Sequence, residues 1–503
     1  MSTAITHIRA SAKDGVAVAL TNLPTGFDLG DGVRTIEPIA AGHKVALQDF
    51  DVGEPLIKLG QPIGVVSKPI AAGAHVHVHN LRFSGQADRR RFGDRIVDIP
   101  HRSATFMGYL RADGRVGTRN YIGILTSVNC SATVARRIAA AFDEERLAAY
   151  PHVDGVVAFS HMSGCGMAKS GRGMDNLRRT IGGYARHPNF GAILVVGLGC
   201  EVNQIDPLLA DQGLEPSNML RAMTIQSAGG TRAAIDAGIA IVNEMLPIAN
   251  AAERSAQSAA HLTLGLQCGA SDGNSALTAN PALGLAADRL VAAGGKVVLS
   301  ETPEIFGAEN LLLERAASRE IADKLIGRLI WWEDYAARDG ADLNNNPSPG
   351  NVAGGITTIL EKSLGAVAKS GSSPLRDVID YAAPIEMPGL SFMDTPGYDP
   401  CSATGQIAGG ATLIAFTTGR GSVFGSKPAP TLKLASNSAL AARMPDDIDI
   451  DCGRLISGDA TMEALGDQIF DQLLRMASGE KTASERNNIG DEEFVPWVPG
   501  VAM

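Results

Sequence analysis

Tyr121-Ile-Gly-Ile-Leu-Thr-Ser-Val128 is an apolar run that stops at Asn129-Cys130-Ser131, and the chain then repeats the device. Val153-Asp-Gly-Val-Val-Ala-Phe-Ser160 stops at His161-Met-Ser-Gly-Cys165-Gly166. Ala192-Ile-Leu-Val-Val196 stops at Gly197-Leu-Gly-Cys200-Glu201, and His261-Leu-Thr-Leu-Gly-Leu266 at Gln267-Cys268-Gly-Ala-Ser-Asp272. A fifth run, Lys296-Val-Val-Leu299, ends at Ser300-Glu301 without a cysteine. Short apolar runs alternating with helical segments read as parallel strands buried on both faces. Ligands of such sheets bind outside the carboxyl ends of the strands. The pattern predicts Cys130, Cys165, Cys200 and Cys268 on one rim of one sheet, with His161, Glu201 and Glu301 beside them. Each cysteine alone reads better as a small buried hydrophobe; the repetition makes the set a candidate metal site.

Working outward, helices are predicted between the strands at 132–147, 175–184, 206–213, 231–248 and 281–293. Asn280 would be the N-cap of the last and Pro281 its first residue. The loop Gln267–Ser275 is rich in small polar residues and suits a backbone cradle for an anion. Neither a GxxxxGK[ST] loop nor a convincing GxGxxG follows the first strand, which argues against nucleotide binding.

Residues 1–83 read as a small β-rich domain ending in His75-Val-His77-Val-His79-Asn80. Period-two spacing puts the three imidazoles on one face, an arrangement that can bind a metal or an anion. Residues 84–106, with Arg89-Arg-Arg91, read as a surface linker. An α/β domain carrying the cysteine rim is expected over 107–345, and a C-terminal α/β domain with its tail over 346–503. The turn-rich Asn344–Asn351 would mark the division, and a helix is expected over 461–478. Arg111, Arg115 and Arg119 lie in a glycine-bearing loop that can present guanidinium groups to a carboxylate. Arg420, between Gly419 and Gly421, has the same potential.

At 503 residues the chain is too long for a single core. Its 45% hydrophobic and 19% charged residues suit a globular protein. A net charge of −10 argues against general nucleic-acid affinity. No apolar run is long enough for a membrane span and the first residues lack a signal-peptide layout, so a cytoplasmic protein is expected. Six cysteines there point to metal or thiol chemistry before disulfides.

Several stretches resemble the altronate and galactarate dehydratase family of bacterial sugar-acid catabolism, along essentially the whole chain. They are Ala41-Gly-His-Lys-Val-Ala-Leu47, His77-Val-His79-Asn80, Asp113-Gly-Arg-Val-Gly-Thr-Arg-Asn120, Gly197–Glu201, Cys268–Asp272, Thr278-Ala-Asn-Pro281, Asn346–Asn351 and Thr418–Gly421. Ala270 and Ala276 depart from it, standing where glycine is common, and Cys401 lies in a variable loop. The resemblance implies a β-clip (SAF-like) N-terminal domain and an α/β catalytic body with a largely parallel sheet. It further implies dehydration of an aldonic or aldaric acid to a 2-keto-3-deoxy acid, with activation by ferrous iron and reductants. The His77-Val-His79 pattern looks more like altronate than galactarate dehydratases. Galactarate dehydratase, a sulfo-lyase acting on a related hydroxy acid, and a non-catalytic sugar-acid-binding protein are the alternatives.

That chemistry requires a proton taken α to a carboxylate and expulsion of the 3-hydroxyl, with no redox cofactor. The expected cast is His77, His79 or His161 for proton transfer, and Arg115, Arg119, Asp272, Asn280 and Arg420 for the substrate. Cys130, Cys165, Cys200, Cys268, Glu201 and Glu301 would hold metal. A single Fe2+ (or Mn2+) and an iron–sulfur cluster on three or four thiolates both remain open. The expected partners are a small sugar-acid substrate and further copies of the chain, without nucleic acid or membrane.

Overall fold

Among the described residues two parallel sheets, not one, carry the α/β part of the chain. A computed structural model describes residues 5–84 and 92–500; Arg89–Arg91 therefore lie outside the described residues. The smaller sheet has the order Gly155–Phe159, Tyr121–Thr126, Phe190–Gly197, Leu220–Thr224. Its neighbours all run parallel. Side chains alternate between its faces, as strand geometry requires. Leu125, Ile193 and Val195 meet Leu177 and Ile181 of the helix Arg172–Ala185 on one side. Ile124, Leu194 and Val196 meet Ile138 and Met245 on the other. Covered on both faces, these strands read as unbroken apolar runs.

The larger sheet has seven parallel strands among the described residues. Their order is Leu375–Ile379, Gly389–Met393, Lys296–Leu299, Thr263–Gly269, Leu413–Thr418, Thr431–Ala435, Ile450–Asp451. Cys268 and Glu301 belong to this sheet, whereas Cys130, Cys165 and Cys200 follow strands of the smaller one. The expected single rim is thus two rims. A run's apolarity says that it is a strand but not which sheet it joins. The division expected at residue 346 likewise passes through the larger sheet. Asn344–Asn351 is an excursion between the helices Arg319–Arg338 and Ile359–Ala368, not a gap between cores.

The N-terminal unit is built from short antiparallel strands. His7–Ile8, Val16–Ala19, Lys44–Ala46 and His75–Val76 form one sheet, and Pro55–Lys58, Gln61–Val66 and Leu81–Arg82 another. Val16, Leu56, Ile63 and Val76 are fully buried between them. The predicted helices form with small shifts: 132–147 breaks into Ala132–Ala139 and Glu144–Leu147, and 281–293 becomes Ala279–Ala292, with Thr278 and not Asn280 at the N-cap. Among the described residues no helix is long and apolar enough to cross a membrane.

Candidate active site

The strand Thr263–Gly269 continues through its helix to one side of the large sheet, while its neighbour Leu413–Thr418 leads to the other. A crevice opens at such a switch point, at the carboxyl ends of the strands. Two loops leave that edge, Ala270–Ser275 and Gly419–Gly421, and they interlock: Gly419 and Arg420 both donate their backbone N–H to Ala270 O, at 3.1 and 3.0 Å. Ala270 has φ +52°, the left-handed region that favours glycine, the residue common at this position in the family pattern. Asp272 Oδ1 accepts from Asn274 N, Ser275 N and Oγ, and Ser436 Oγ, and Oδ2 accepts from Asn437 Nδ2. The carboxylate expected to bind substrate is therefore occupied in holding loops together. Asn280 accepts from Thr417 Oγ1 and donates to Gly365 O, tying strand to helix.

Beneath this edge is a buried polar cluster. Ligand atoms of Cys268, Glu301 and Glu304 lie within 4.8 Å of one another. Lys369 Nζ is 2.8 Å from Cys268 Sγ, and Lys362 Nζ donates to Glu304 Oε1 at 2.7 Å. Both lysines come from one helix, Ile359–Ala368 and its C-cap, seven residues apart and so on the same face. Burial, reinforced by Glu304 and Asp399, holds the Glu301 carboxyl well above its usual range. Burial pushes the Cys268 thiol up to about 11, against the pull of Lys369. Burial together with Glu304 raises Asp399 to about 7. Glu301 Oε1 is buried with no hydrogen-bond partner, and Glu301 sits at φ +70°. Three carboxyls facing two ammonium groups, with one oxygen unpartnered, fit a divalent cation held by sulfur and oxygen.

The N-terminal unit closes over this edge. A Cβ on Gly273 would lie 1.9 Å from Gly42 O, so only glycine permits that approach. His43 follows Gly42 and joins His75, His77 and His79 in a stack whose neighbouring ring centroids are 5.0–5.5 Å apart. His75 Nε2 and His43 Nδ1 are 2.9 Å apart. His43 Nε2 and His77 Nε2 face the carbonyls of Ala353 and Val352, at 3.3 and 3.0 Å. Those carbonyls belong to the short helix Pro349–Ala353, whose Gly350 lies against the Arg420 guanidinium: a Cβ there would be 3.8 Å from Nε. Burial lowers His43, His75 and His77, His75 to about 4, so all three are neutral at pH 7. The expected one-face histidines are thus together, joined by His43, whose place in Ala41–Leu47 was the signal for it.

Four of the expected site residues, Arg119, Arg115, His161 and Glu201, stand elsewhere. Arg119 is buried, paired bidentately with Glu485 at 2.6 and 2.8 Å, and its remaining N–H groups reach Thr118, Met476 and Glu480 carbonyls. It anchors the C-terminal segment and has no free edge for substrate. Arg115 pairs with Asp113 on the surface and lines a cavity with Arg186 and Lys296, away from Arg420. His161 uses both ring nitrogens on backbone, Nε2 toward Thr126 O at 3.0 Å and Nδ1 accepting from Ser163 N at 3.1 Å. Burial lowers it to about 4, so it is a neutral structural histidine. Glu201 is held by Ser127 Oγ and Gly199 N in the smaller sheet, beside Cys200 and far in sequence from Glu301.

Three family models match in series. They are the altronate/galactarate dehydratase SAF domain over residues 5–84, the D-galactarate dehydratase/altronate hydrolase second domain over 108–250, and the D-galactarate/altronate dehydratase C-terminal domain over 259–502. Altronate dehydratase of Escherichia coli (strain K12) is 38% identical, covering 99% of this chain and 100% of that one. Altronate dehydratase of Bacillus subtilis (strain 168) is 34% identical over 99% of each. Galactarate dehydratase (L-threo-forming) of E. coli is 35% identical over 94% of this chain and 93% of its own.

Proposed function

Since the chain belongs to the D-galactarate/altronate dehydratase family, we propose that it removes water from altronate or a closely similar sugar acid at the Arg420 edge of the large sheet, beneath the histidine stack. The product is a 2-keto-3-deoxy acid, and the enzyme is a carbon–oxygen lyase. The observation that carries the placement is the helix Pro349–Ala353, flanked by Arg420 on Gly350 and by His77 and His43 on Val352 and Ala353. Groups with opposite tasks, a carboxylate clamp and neutral bases, are thereby set against one short segment.

Loss of the α-proton builds negative charge on the substrate carboxylate, which a fixed guanidinium stabilises. The Arg420 side chain has no hydrogen-bond or ion-pair partner among the described residues and is exposed, so its bidentate edge is free. The Val352 carbonyl fits His77 as the Nε2–H tautomer, leaving Nδ1 to accept a proton. In the same way Ala353 O orients His43, whose Nδ1 then accepts from His75 Nε2, so a proton taken by His75 can be shared with His43. The N-terminal unit also excludes water by docking Gly42 onto Gly273 and Gly355.

Cys268, Glu301 and Glu304 would hold the divalent cation, which we assign as Fe2+, with Mn2+ as the alternative. When bound it supplies Lewis acidity toward a poorly leaving hydroxyl. Lys362 and Lys369 hold Glu304 and Cys268 in place and offset the charge of the acidic cluster.

Anaerobic, iron-supplemented protein offered a panel of aldonic and aldaric acids is the test. Formation of a 2-keto-3-deoxy acid from altronate is expected, lost in Cys268→Ser together with the iron bound without sulfide. Turnover of galactarate alone would overturn the substrate assignment, and no turnover of any acid would overturn the reading.

A further inference from the structure

The three thiols of the smaller sheet are used by nothing described so far. Cys130, Cys165 and Cys200 follow its three adjacent strands, in the spatial order Cys165, Cys130, Cys200. The other three cysteines are buried, whereas these three are exposed, and all six are free. Among the described residues none of these three thiols has a hydrogen-bond partner.

Their loops are locked to one another. Asn129 N donates to Ser163 O at 2.9 Å, one residue before Cys130 and two before Cys165. Asn203 N donates to Gly164 O at 3.0 Å, and Asn203 Nδ2 to Ser127 O at 3.1 Å, joining the Cys200 loop to both others. Gly164, at φ +100°, would carry a Cβ 2.3 Å from Ser127 O, so the close packing of the Cys165 loop onto the Cys130 strand depends on glycine. Glu201 is drawn inward by Ser127 Oγ and Gly199 N, at 2.6 Å each, which fixes the backbone next to Cys200. Three unconnected parts of the chain thus present three solvent-facing sulfurs from one rigid edge.

We propose that Cys130, Cys165 and Cys200 bind an iron–sulfur cluster through three thiolates, leaving one iron without a protein ligand. The spacing favours a cluster over a single ion. Sulfurs sharing one ion at about 2.3 Å must lie within roughly 4 Å of one another. These three do not form a set within the 4.8 Å that groups Cys268, Glu301 and Glu304. Thiolates bonded to different irons of one cluster stand further apart, and adjacent parallel strands, about 4.8 Å apart, offer such a spacing. Solvent exposure of the edge leaves the fourth iron open to an external oxygen ligand. This site is separate from the Cys268 cluster, and neither proposal depends on the other.

The test is anaerobic reconstitution of the full chain with ferrous iron and sulfide, followed by desalting. Bound iron and acid-labile sulfide in comparable amounts are expected, with a broad visible absorption that bleaches on reduction. Cys130→Ser, Cys165→Ser and Cys200→Ser should each reduce bound sulfide severalfold, while Cys268→Ser keeps it. Circular dichroism and thermal melting of the metal-free variants should match those of the metal-free parent. Absence of bound sulfide in the folded parent would overturn the proposal, as would a single metal ion without sulfide or retention of sulfide when all three are serine.

Discussion

Lys44 Nζ lies 3.1 and 2.9 Å from the two carboxylate oxygens of Glu361, pinning the N-terminal unit to the helix Ile359–Ala368 through a buried ion pair. Lys58 Nζ joins it at 2.7 Å, and Thr357 donates both its backbone N–H and its hydroxyl. Burial pulls Lys44 down to about 8, still protonated at pH 7. Burial opposes the Glu361 charge, but Lys44 and Lys58 outweigh it and hold the carboxyl well below its usual range. The next residue, Lys362, reaches Glu304, so one helix fastens the histidine-bearing unit and orders the acidic cluster.

Removing the carboxylate strands two buried ammonium groups. Breaking such a pair from one side costs about 3–5 kcal/mol. Glu361→Gln is therefore expected to lower the denaturant midpoint and to expose the N-terminal unit to limited proteolysis before the rest of the chain. An unchanged midpoint and digestion pattern would show that the pair does not hold the units together.

The histidine stack is expected to act on rate and not on stability. His77→Gln should lower kcat by roughly 100-fold if proton transfer is lost, with the melting temperature close to that of the parent. His43→Gln should do so to a lesser degree, because His43 reaches the proton only through His75. Near-parental kcat in His77→Gln between pH 6 and 9 would remove the stack from the mechanism.

At Arg420 charge and geometry can be separated. Arg420→Lys keeps the charge but loses the fork, so kcat/KM should fall at least tenfold if the carboxylate is held bidentately. Because the side chain is exposed, the melting temperature should move little. A lysine variant with parental kcat/KM would show that Arg420 does not grip the substrate.

His187 should make the fold acid-sensitive. It is buried, with Nε2 3.1 Å from Ala411 O and Nδ1 accepting from Asn189 N, and burial lowers it to about 3 from an ordinary 6.5. Between those values the unfolded chain binds the proton and the folded chain does not, so stability is lost as pH falls. The contribution between pH 7 and pH 5 is about 2 kcal/mol. Unfolding curves of His187→Gln should show a smaller difference between the two pH values than the parent. An equal or larger difference would place the acid sensitivity elsewhere.

The five apolar runs between Tyr121 and Leu299, the paired histidines before Asn80 and the loop carrying Arg420 were legible in the residues themselves. Burial on both faces writes an apolar run, period two writes a face, and glycine writes a tight turn, all within a few residues. The resemblance extended that reading to the SAF domain and to the class of reaction. What the order of residues left open was which runs share a sheet, because a strand buried on both faces looks alike in either. Tertiary structure alone separated Cys268 and Glu301 from Cys130, Cys165 and Cys200. It also gathered Glu304, Lys362 and Lys369 around Cys268, and His43 and Lys44 against a helix some 310 residues away. Lys362 and Lys369, two turns apart on an apolar helix, were the visible hint of a buried charge. Arg119, in contrast, looked like a substrate clamp and was claimed by Glu485, because a guanidinium takes whichever carboxylate the fold brings to it. Which partner that is depends on long-range packing, which no local pattern encodes.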